Sequence, residues 1–143
     1  MTERTLNNYL FVYGSLRKAA NHTAHNVLRD RAEFHADAVF YGALYLVKEY
    51  PAVVDQPDES SYPVKGEVYR LMEPTSVFAS LDQYEGYYPY DPECSLYLRK
   101  LRPVELSDNS DQTLQAWIYL YNRPTGPLTQ IPSGDYLEFI KGS

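Results

Sequence analysis

The most informative segment of the chain is Tyr9-Leu10-Phe11-Val12-Tyr13-Gly14-Ser15-Leu16-Arg17. Its first five residues are apolar or aromatic without a break, which predicts a buried strand. The run stops at Gly14-Ser15, a pair that allows a sharp turn with unusual backbone angles. A strand that ends in such a turn leaves backbone N–H groups without ladder partners, and a concave set of these donors suits a carboxylate or another anion. A plain turn into a helix over His22–Asp30 explains the same residues, so both interpretations stand at this point.

Composition limits the class of protein. The 143 residues have the usual size of one domain, so we expect a single domain over 1–143. The formal net charge is −6 and the basic residues do not cluster, which argues against nucleic acid as a partner. No apolar stretch approaches the roughly 20 residues that a membrane helix needs, and the polar N-terminus lacks a signal-peptide core. The single cysteine, Cys94, cannot form an internal disulfide, which fits a cytoplasmic location.

The hydrophobic pattern predicts a small α+β domain that is mostly sheet, with short helices. A helix is expected over Pro74–Tyr84, with proline in its first turn and Gly86 ending it. Both faces of the strand predicted over Thr113–Tyr121 are apolar or aromatic, which suits a closed or strongly curved sheet. Gly42 is expected to mark a bulge or kink in its strand. The remaining predicted strands are Phe34–Val47, Ala52–Val54, Val64–Met72, Tyr97–Leu106 and Thr113–Tyr121.

Glu85 is the candidate catalytic residue. It follows Leu81 by four positions and Phe78 by seven, so it falls within the apolar stripe of the predicted helix. Desolvation by neighbouring tyrosines and the negative end of the helix dipole both disfavour its ionisation, so its pKa should be raised. A carboxyl with a pKa nearer neutrality suits a general acid–base, which typically contributes about 10²–10⁴-fold in rate. The alternative is that the helix ends one residue earlier and Glu85 points to solvent.

Four other polar residues are weaker candidates than Glu85. His22 and His25 could share a helix face, but without a nearby ligand cluster they are expected to face solvent rather than bind a metal. Glu67 is the rival carboxylate and is expected to pair with an arginine. Ser15 lacks the G-x-S-x-G context of a nucleophile, so a donor role toward a substrate carboxylate suits it better.

The chain resembles the γ-glutamylcyclotransferase-like superfamily. The two signature blocks are Tyr13-Gly14-Ser15-Leu16 and Leu81-Asp82-Gln83-Tyr84-Glu85-Gly86. Weaker blocks follow in the family's order, and the likeness covers nearly the whole chain: Gly42-Ala43-Leu44-Tyr45, Tyr50-Pro51-Ala52, Val64-Lys65-Gly66-Glu67-Val68-Tyr69, Tyr97-Leu98-Arg99, Ala116-Trp117-Ile118-Tyr119 and Ser133-Gly134-Asp135-Tyr136. The resemblance implies a small mixed β-barrel with short α-helices and a cavity at one end of the barrel.

The resemblance also implies an activity. The substrate would be a small molecule bearing a γ-glutamyl group, whose α-carboxylate end is gripped by the turn at Tyr13, Gly14, Ser15 and Leu16. Glu85 would be the acid–base, and Tyr119 would help to line the pocket. The substrate's own amine would close on its γ-amide carbonyl to give 5-oxoproline and a free amine, with no metal or cofactor. Leucine at position 16 resembles the γ-glutamylamine-cleaving and bacterial-type members of the family. The protein is expected to be a monomer or a homodimer. Two alternatives remain: a non-catalytic binding or regulatory protein of the same fold, and an enzyme that removes a γ-glutamyl group within one biosynthetic pathway.

Overall fold

The computed structural model describes residues 8–14, 28, 31–47, 50–55, 62–107, 112–126, 128–131 and 133–141. A short 3-10 turn, Pro92–Cys94, precedes the fifth strand. The helices are α1 (Pro74–Glu85) and α2 (Tyr136–Lys141). The strands are β1 (Tyr9–Val12), β2 (Ala32–Val47), β3 (Tyr50–Asp55), β4 (Tyr62–Leu71), β5 (Tyr97–Leu106), β6 (Thr113–Tyr121) and β7 (Thr129–Gln130).

Five strands close into a barrel in the order β2–β4–β1–β6–β5 and back to β2. The contact between β1 and β6 is parallel and the other pairings around the ring are antiparallel. The ring closes where Ala38 and Val39 of β2 pair with Leu106 and Glu105 of β5. The strands β3 and β7 both extend from β2. The predicted α+β barrel with short helices is therefore confirmed.

The first strand is buried on both faces, which explains its unbroken apolar sequence. Phe11 points into the barrel, where it joins core residues contributed by the other four strands of the ring. Leu10 and Val12 point the opposite way, into a second core that includes Val77 and Leu81 of α1. The alternation along β1 thus places α1 on the outside of the barrel, against the strand that leads to Gly14.

Helix α1 runs through Glu85, so the alternative in which it ends one residue earlier is wrong. Gly86 follows with φ 71°, a left-handed conformation that favours glycine. Its N–H bonds the Gln83 carbonyl at 3.3 Å, and the N–H of Tyr87 bonds the Asp82 carbonyl at 2.8 Å. The end of the helix is thereby fixed at the residue that carries the candidate carboxyl.

The expectation of a bulge or kink at Gly42 needs correction. Gly42 lies in regular pairing with Asp55 and Tyr62, and the register shift of β2 falls between Phe34 and Ala36 instead. Gly42 is required for space, since an added Cβ would lie 2.6 Å from the Val54 carbonyl oxygen. Gly14 is not among the glycines with positive φ, and Ser15, the other residue of the turn predicted there, lies outside the described residues.

Part of the predicted N-terminal region lies outside the described residues. Ser15, Leu16 and the histidines at 22 and 25 belong to it, as does most of the helix predicted over His22–Asp30. Leu28 is described, and it is fully buried in the core between the barrel and α1.

Candidate active site

A cavity of about 350 Å³ opens at one end of the barrel. Its walls come from the end of β1 and the residues after it, the end of β2, the start of β3, the end of α1, the start of β5 and the second half of β6. It brings together four of the site residues predicted from sequence: Tyr13, Gly14, Glu85 and Tyr119. The other two, Ser15 and Leu16, continue the chain from Gly14 beyond the described residues.

Glu85 reaches the cavity as the last residue of α1. The residue as a whole is half-buried, while its carboxyl is almost fully surrounded by protein. This loss of hydration raises the pKa of the carboxyl from 4.5 to about 7. The group therefore exchanges its proton near neutral pH, which is the property that an acid–base catalyst needs.

Three buried tyrosines, Tyr13, Tyr97 and Tyr119, line the same cavity. Burial is the largest cause of the raised pKa of each phenol, and the charge of Glu85 adds to it in all three. The Tyr13 hydroxyl donates to the Tyr119 carbonyl at 2.6 Å, and the Tyr97 hydroxyl donates to the Pro51 carbonyl at 2.8 Å. The phenols are thus neutral at physiological pH and held in fixed orientations around Glu85.

Asp82 holds the third phenol and was not predicted from the sequence. The Tyr119 hydroxyl donates to Oδ1 of Asp82 at 2.6 Å. Arg99 donates to both oxygens of the same carboxylate, from Nε at 3.0 Å and from Nη2 at 3.1 Å. The Arg99 guanidinium in turn lies 4.1 Å from the centroid of the Phe78 ring, at cation–π distance. The network ties α1 to β5 and β6 one helical turn before Glu85. The available sequence signals were the place of Asp82 in the second signature block and its spacing of three from Glu85, which makes the two side chains neighbours on the helix surface.

Gly14 is explained by a close approach. An added Cβ would lie 2.7 Å from Cγ of Pro51, which also lines the cavity. Any side chain at position 14 would therefore push the segment after β1 away from the start of β3 at the cavity wall. The glycine of the first signature block is needed because the chain passes close to Pro51 at this point.

Glu67, the rival carboxylate, lies elsewhere. It is buried and accepts a hydrogen bond from the Tyr69 hydroxyl at 2.8 Å. Among the described residues that line the cavity, Glu85 carries the only carboxyl. The pairing of Glu67 with an arginine stays a prediction.

The described ranges contain neither a metal-binding cluster nor a membrane-spanning helix. No group of three or more His, Cys, Asp and Glu side chains in them could hold a metal ion. None of the helices found there has the length and apolar character required to cross a membrane.

Comparisons with known proteins give a consistent result. The family described as "Gamma-glutamyl cyclotransferase, AIG2-like" matches residues 10–138. The "Putative gamma-glutamylcyclotransferase" of Methanocaldococcus jannaschii is 32% identical over 132 residues, which cover 92% of this chain and 97% of that protein. YkqA of Bacillus subtilis, which carries the same name, is 37% identical over 84 residues. That alignment covers 58% of this chain but only 28% of the length of YkqA.

Solved structures show the same fold. The crystal structure of YkqA has a TM-score of 0.69 at 28% identity, covering 96% of this chain and 44% of that one. The crystal structure of a mouse AIG2-like protein has a TM-score of 0.64 at 20% identity, with 87% and 85% of the two chains covered. The second likeness concerns the fold alone. Because the family match spans most of the sequence, the chain belongs to the gamma-glutamyl cyclotransferase, AIG2-like family.

Proposed function

We propose that this protein is a γ-glutamylcyclotransferase that converts a γ-glutamyl amide to 5-oxoproline and a free amine, with Glu85 as general acid–base. The observation that carries the proposal is the desolvated carboxyl of Glu85 at a cavity wall, with a pKa raised to about 7. Membership of the family and the names of its relatives support the same reaction class.

The reaction that fits this site needs one group to move a proton. The substrate's α-nitrogen, as the free amine, attacks its own γ-amide carbonyl carbon and forms the C–N bond of a five-membered ring. Glu85 as carboxylate accepts the proton released by that nitrogen. It then passes the proton to the leaving nitrogen as the original amide C–N bond breaks. A carboxyl with pKa near 7 can both accept and return the proton near neutral pH.

The remaining walls would hold the reactive conformer. Internal attack by a well-oriented group can reach effective molarities on the order of 10⁵–10⁸ M, so orientation supplies much of the rate. The turn that begins at Tyr13 and Gly14 is proposed to bind the α-carboxylate through backbone N–H groups, together with Ser15 and Leu16. Tyr119 is proposed to contact the substrate with a phenol that Asp82 holds in place.

The test is release of 5-oxoproline from a panel of γ-glutamylamines, γ-glutamyl amino acids and glutathione. We expect turnover by the wild type and a fall of about 10²–10⁴-fold in kcat for Glu85→Gln, because glutamine keeps the shape but cannot take the proton. Glu67→Gln is the matched control, since it neutralises a buried glutamate that does not line the cavity, and it should keep kcat.

Two results would contradict the proposal. A folded Glu85→Gln variant with wild-type turnover would remove Glu85 from the chemistry. Absence of release from every substrate, combined with calorimetric binding of γ-glutamyl compounds, would favour a non-catalytic binding protein of this fold.

A further inference from the structure

The cavity has two halves that differ in exposure. Its floor consists of buried residues, among them Phe11, Tyr13 and Tyr119. Its rim consists of large apolar side chains that face water: Tyr50 is 58% exposed, Tyr84 50% and Leu96 42%. Exposed apolar groups that converge on a concave site commonly mark the part of it that contacts a ligand.

Glu85 lies at the boundary between floor and rim. Tyr84 precedes it on α1, and Leu96 is tied to the end of the helix because its N–H donates to the Gly86 carbonyl at 2.9 Å. Under the proposed function, Glu85 transfers a proton to the leaving nitrogen, so the scissile bond lies beside it. The ring-forming half of the substrate then occupies the floor, next to Gly14 and Tyr13, and the leaving amine extends along the rim.

We propose that the rim is a subsite for the leaving amine and that it selects amines with apolar or aromatic side chains. This inference rests on the proposed function. The rim offers two tyrosine rings and a leucine side chain, surfaces that gain most from covering an apolar or aromatic group. A short hydroxylated amine would leave the same surfaces in water.

The charge at the site adds a second selection. Glu85 stands beside the rim and is ionised when it acts as base. An amine that carries its own carboxylate, such as an α-amino acid, would bring a second negative charge close to it, which is unfavourable. The favoured leaving group is therefore an uncharged arylalkyl or alkyl amine.

The test compares three γ-glutamyl substrates by kcat/KM for 5-oxoproline release: the phenethylamide, the ethanolamide and γ-glutamylphenylalanine. We expect the phenethylamide to exceed the ethanolamide by about tenfold or more, in line with the discrimination that apolar pockets reach. The phenylalanine compound, which adds only a carboxylate to the phenethylamide, should also be the poorer substrate.

Leu96→Asn tests the rim directly, and Leu101→Asn is its matched control. Leu101 is 37% exposed, close to the 42% of Leu96, but lies on β5 away from the cavity. Leu96→Asn should lower kcat/KM for the phenethylamide by about fivefold to tenfold and leave that for the ethanolamide within about twofold. Leu101→Asn should leave both unchanged.

Failure of this inference differs from failure of the proposed function. A rate for the ethanolamide equal to that for the phenethylamide would overturn the inference while leaving a cyclotransferase. An equal loss on both substrates in Leu96→Asn would overturn it as well. Absence of release from all three substrates, with Glu85→Gln indistinguishable from wild type, would contradict the proposed function itself.

Discussion

Two acidic residues three positions apart on α1 have opposite surroundings. Asp82 is satisfied by the guanidinium of Arg99 and by the hydroxyl of Tyr119. Glu85 faces the cavity, where burial raises its pKa to about 7. Two nearby carboxyls whose surroundings differ in this way commonly have different roles, one structural and one chemical. We assign Asp82 to positioning Tyr119 and Glu85 to proton transfer.

Removing the charge of Asp82 should affect both stability and the site. Asp82→Asn breaks a bidentate pair whose side chains are only 14% (Asp82) and 19% (Arg99) exposed. It leaves the Arg99 guanidinium partly buried without its carboxylate, so the free energy of unfolding should fall by about 1–3 kcal/mol. Urea denaturation measures this loss, and the loosened Tyr119 should raise KM for the γ-glutamyl substrate.

Asp55→Asn is the matched control for that variant. Asp55 makes the same bidentate contact with Arg102, at 3.0 and 2.8 Å, but the pair is more exposed and lies outside the cavity lining. Exposed pairs contribute about 0–1 kcal/mol. Equal losses of stability in the two variants would contradict the special role given to Asp82.

At the scale of the elements, the end of α1 is what delivers Glu85 to the cavity. Gly86 ends the helix with φ 71°, and Tyr87 closes the last turn on Asp82. Gly86→Ala places a Cβ in a left-handed conformation and should lower the free energy of unfolding by about 1–2 kcal/mol. Thermal or urea unfolding checks the loss.

Gly126→Ala is the control, because it replaces a glycine by alanine at a position that has no left-handed conformation and no steric crowding. Gly126 is not among the positive-φ glycines, and a Cβ there would meet no heavy atom within 4 Å. This variant should leave stability unchanged or raise it slightly. A Gly86→Ala variant as stable as Gly126→Ala would show that the left-handed cap does not fix the helix end.

The elements were largely predictable because their signals are local. The hydrophobic pattern predicted the observed bounds of β5 and β6, and it predicted the C-terminal end of α1 to within one residue. The irregularity in β2 was misplaced at Gly42, because a register shift depends on how the strand meets its neighbours. The contact between Asp82 and Arg99 spans 17 positions and joins a helix to a strand, so no local pattern indicated it.

At the scale of the whole molecule, the cavity exists only because the barrel closes. Its walls come from β1, β3, α1, β5 and β6, whose ends meet when β2 pairs with both β4 and β5. The sequence indicated Tyr13, Gly14, Glu85 and Tyr119 separately, through a strand end, a helix end and a family likeness. Tyr97 and the rim residues were not singled out, because exposure around a cavity mouth follows from the assembled fold.

The raised pKa of Glu85 couples ionisation of this site to global stability. In the unfolded chain the carboxyl loses its proton near pH 4.5, whereas in the folded protein it keeps the proton to about pH 7. Between these values the folded state binds more protons, so stability should fall as pH rises and level off above about pH 7. The loss attributable to Glu85 should be on the order of 3 kcal/mol.

Comparison of variants isolates that contribution. The difference in unfolding free energy between Glu85→Gln and wild type, measured in urea, should grow in favour of the variant from about pH 5 to about pH 8. A flat difference for Glu85→Gln would mean that its carboxyl is well hydrated.

The most direct test of the account is the titration of Glu85 itself, followed by carbon NMR of side-chain carboxyls. We predict a glutamate resonance with a midpoint near pH 7 that is present in the wild type and missing from Glu85→Gln. A Glu85 resonance that titrates near pH 4.5 would contradict the account, because an ordinary solvated carboxyl would not be poised for the proposed proton transfer.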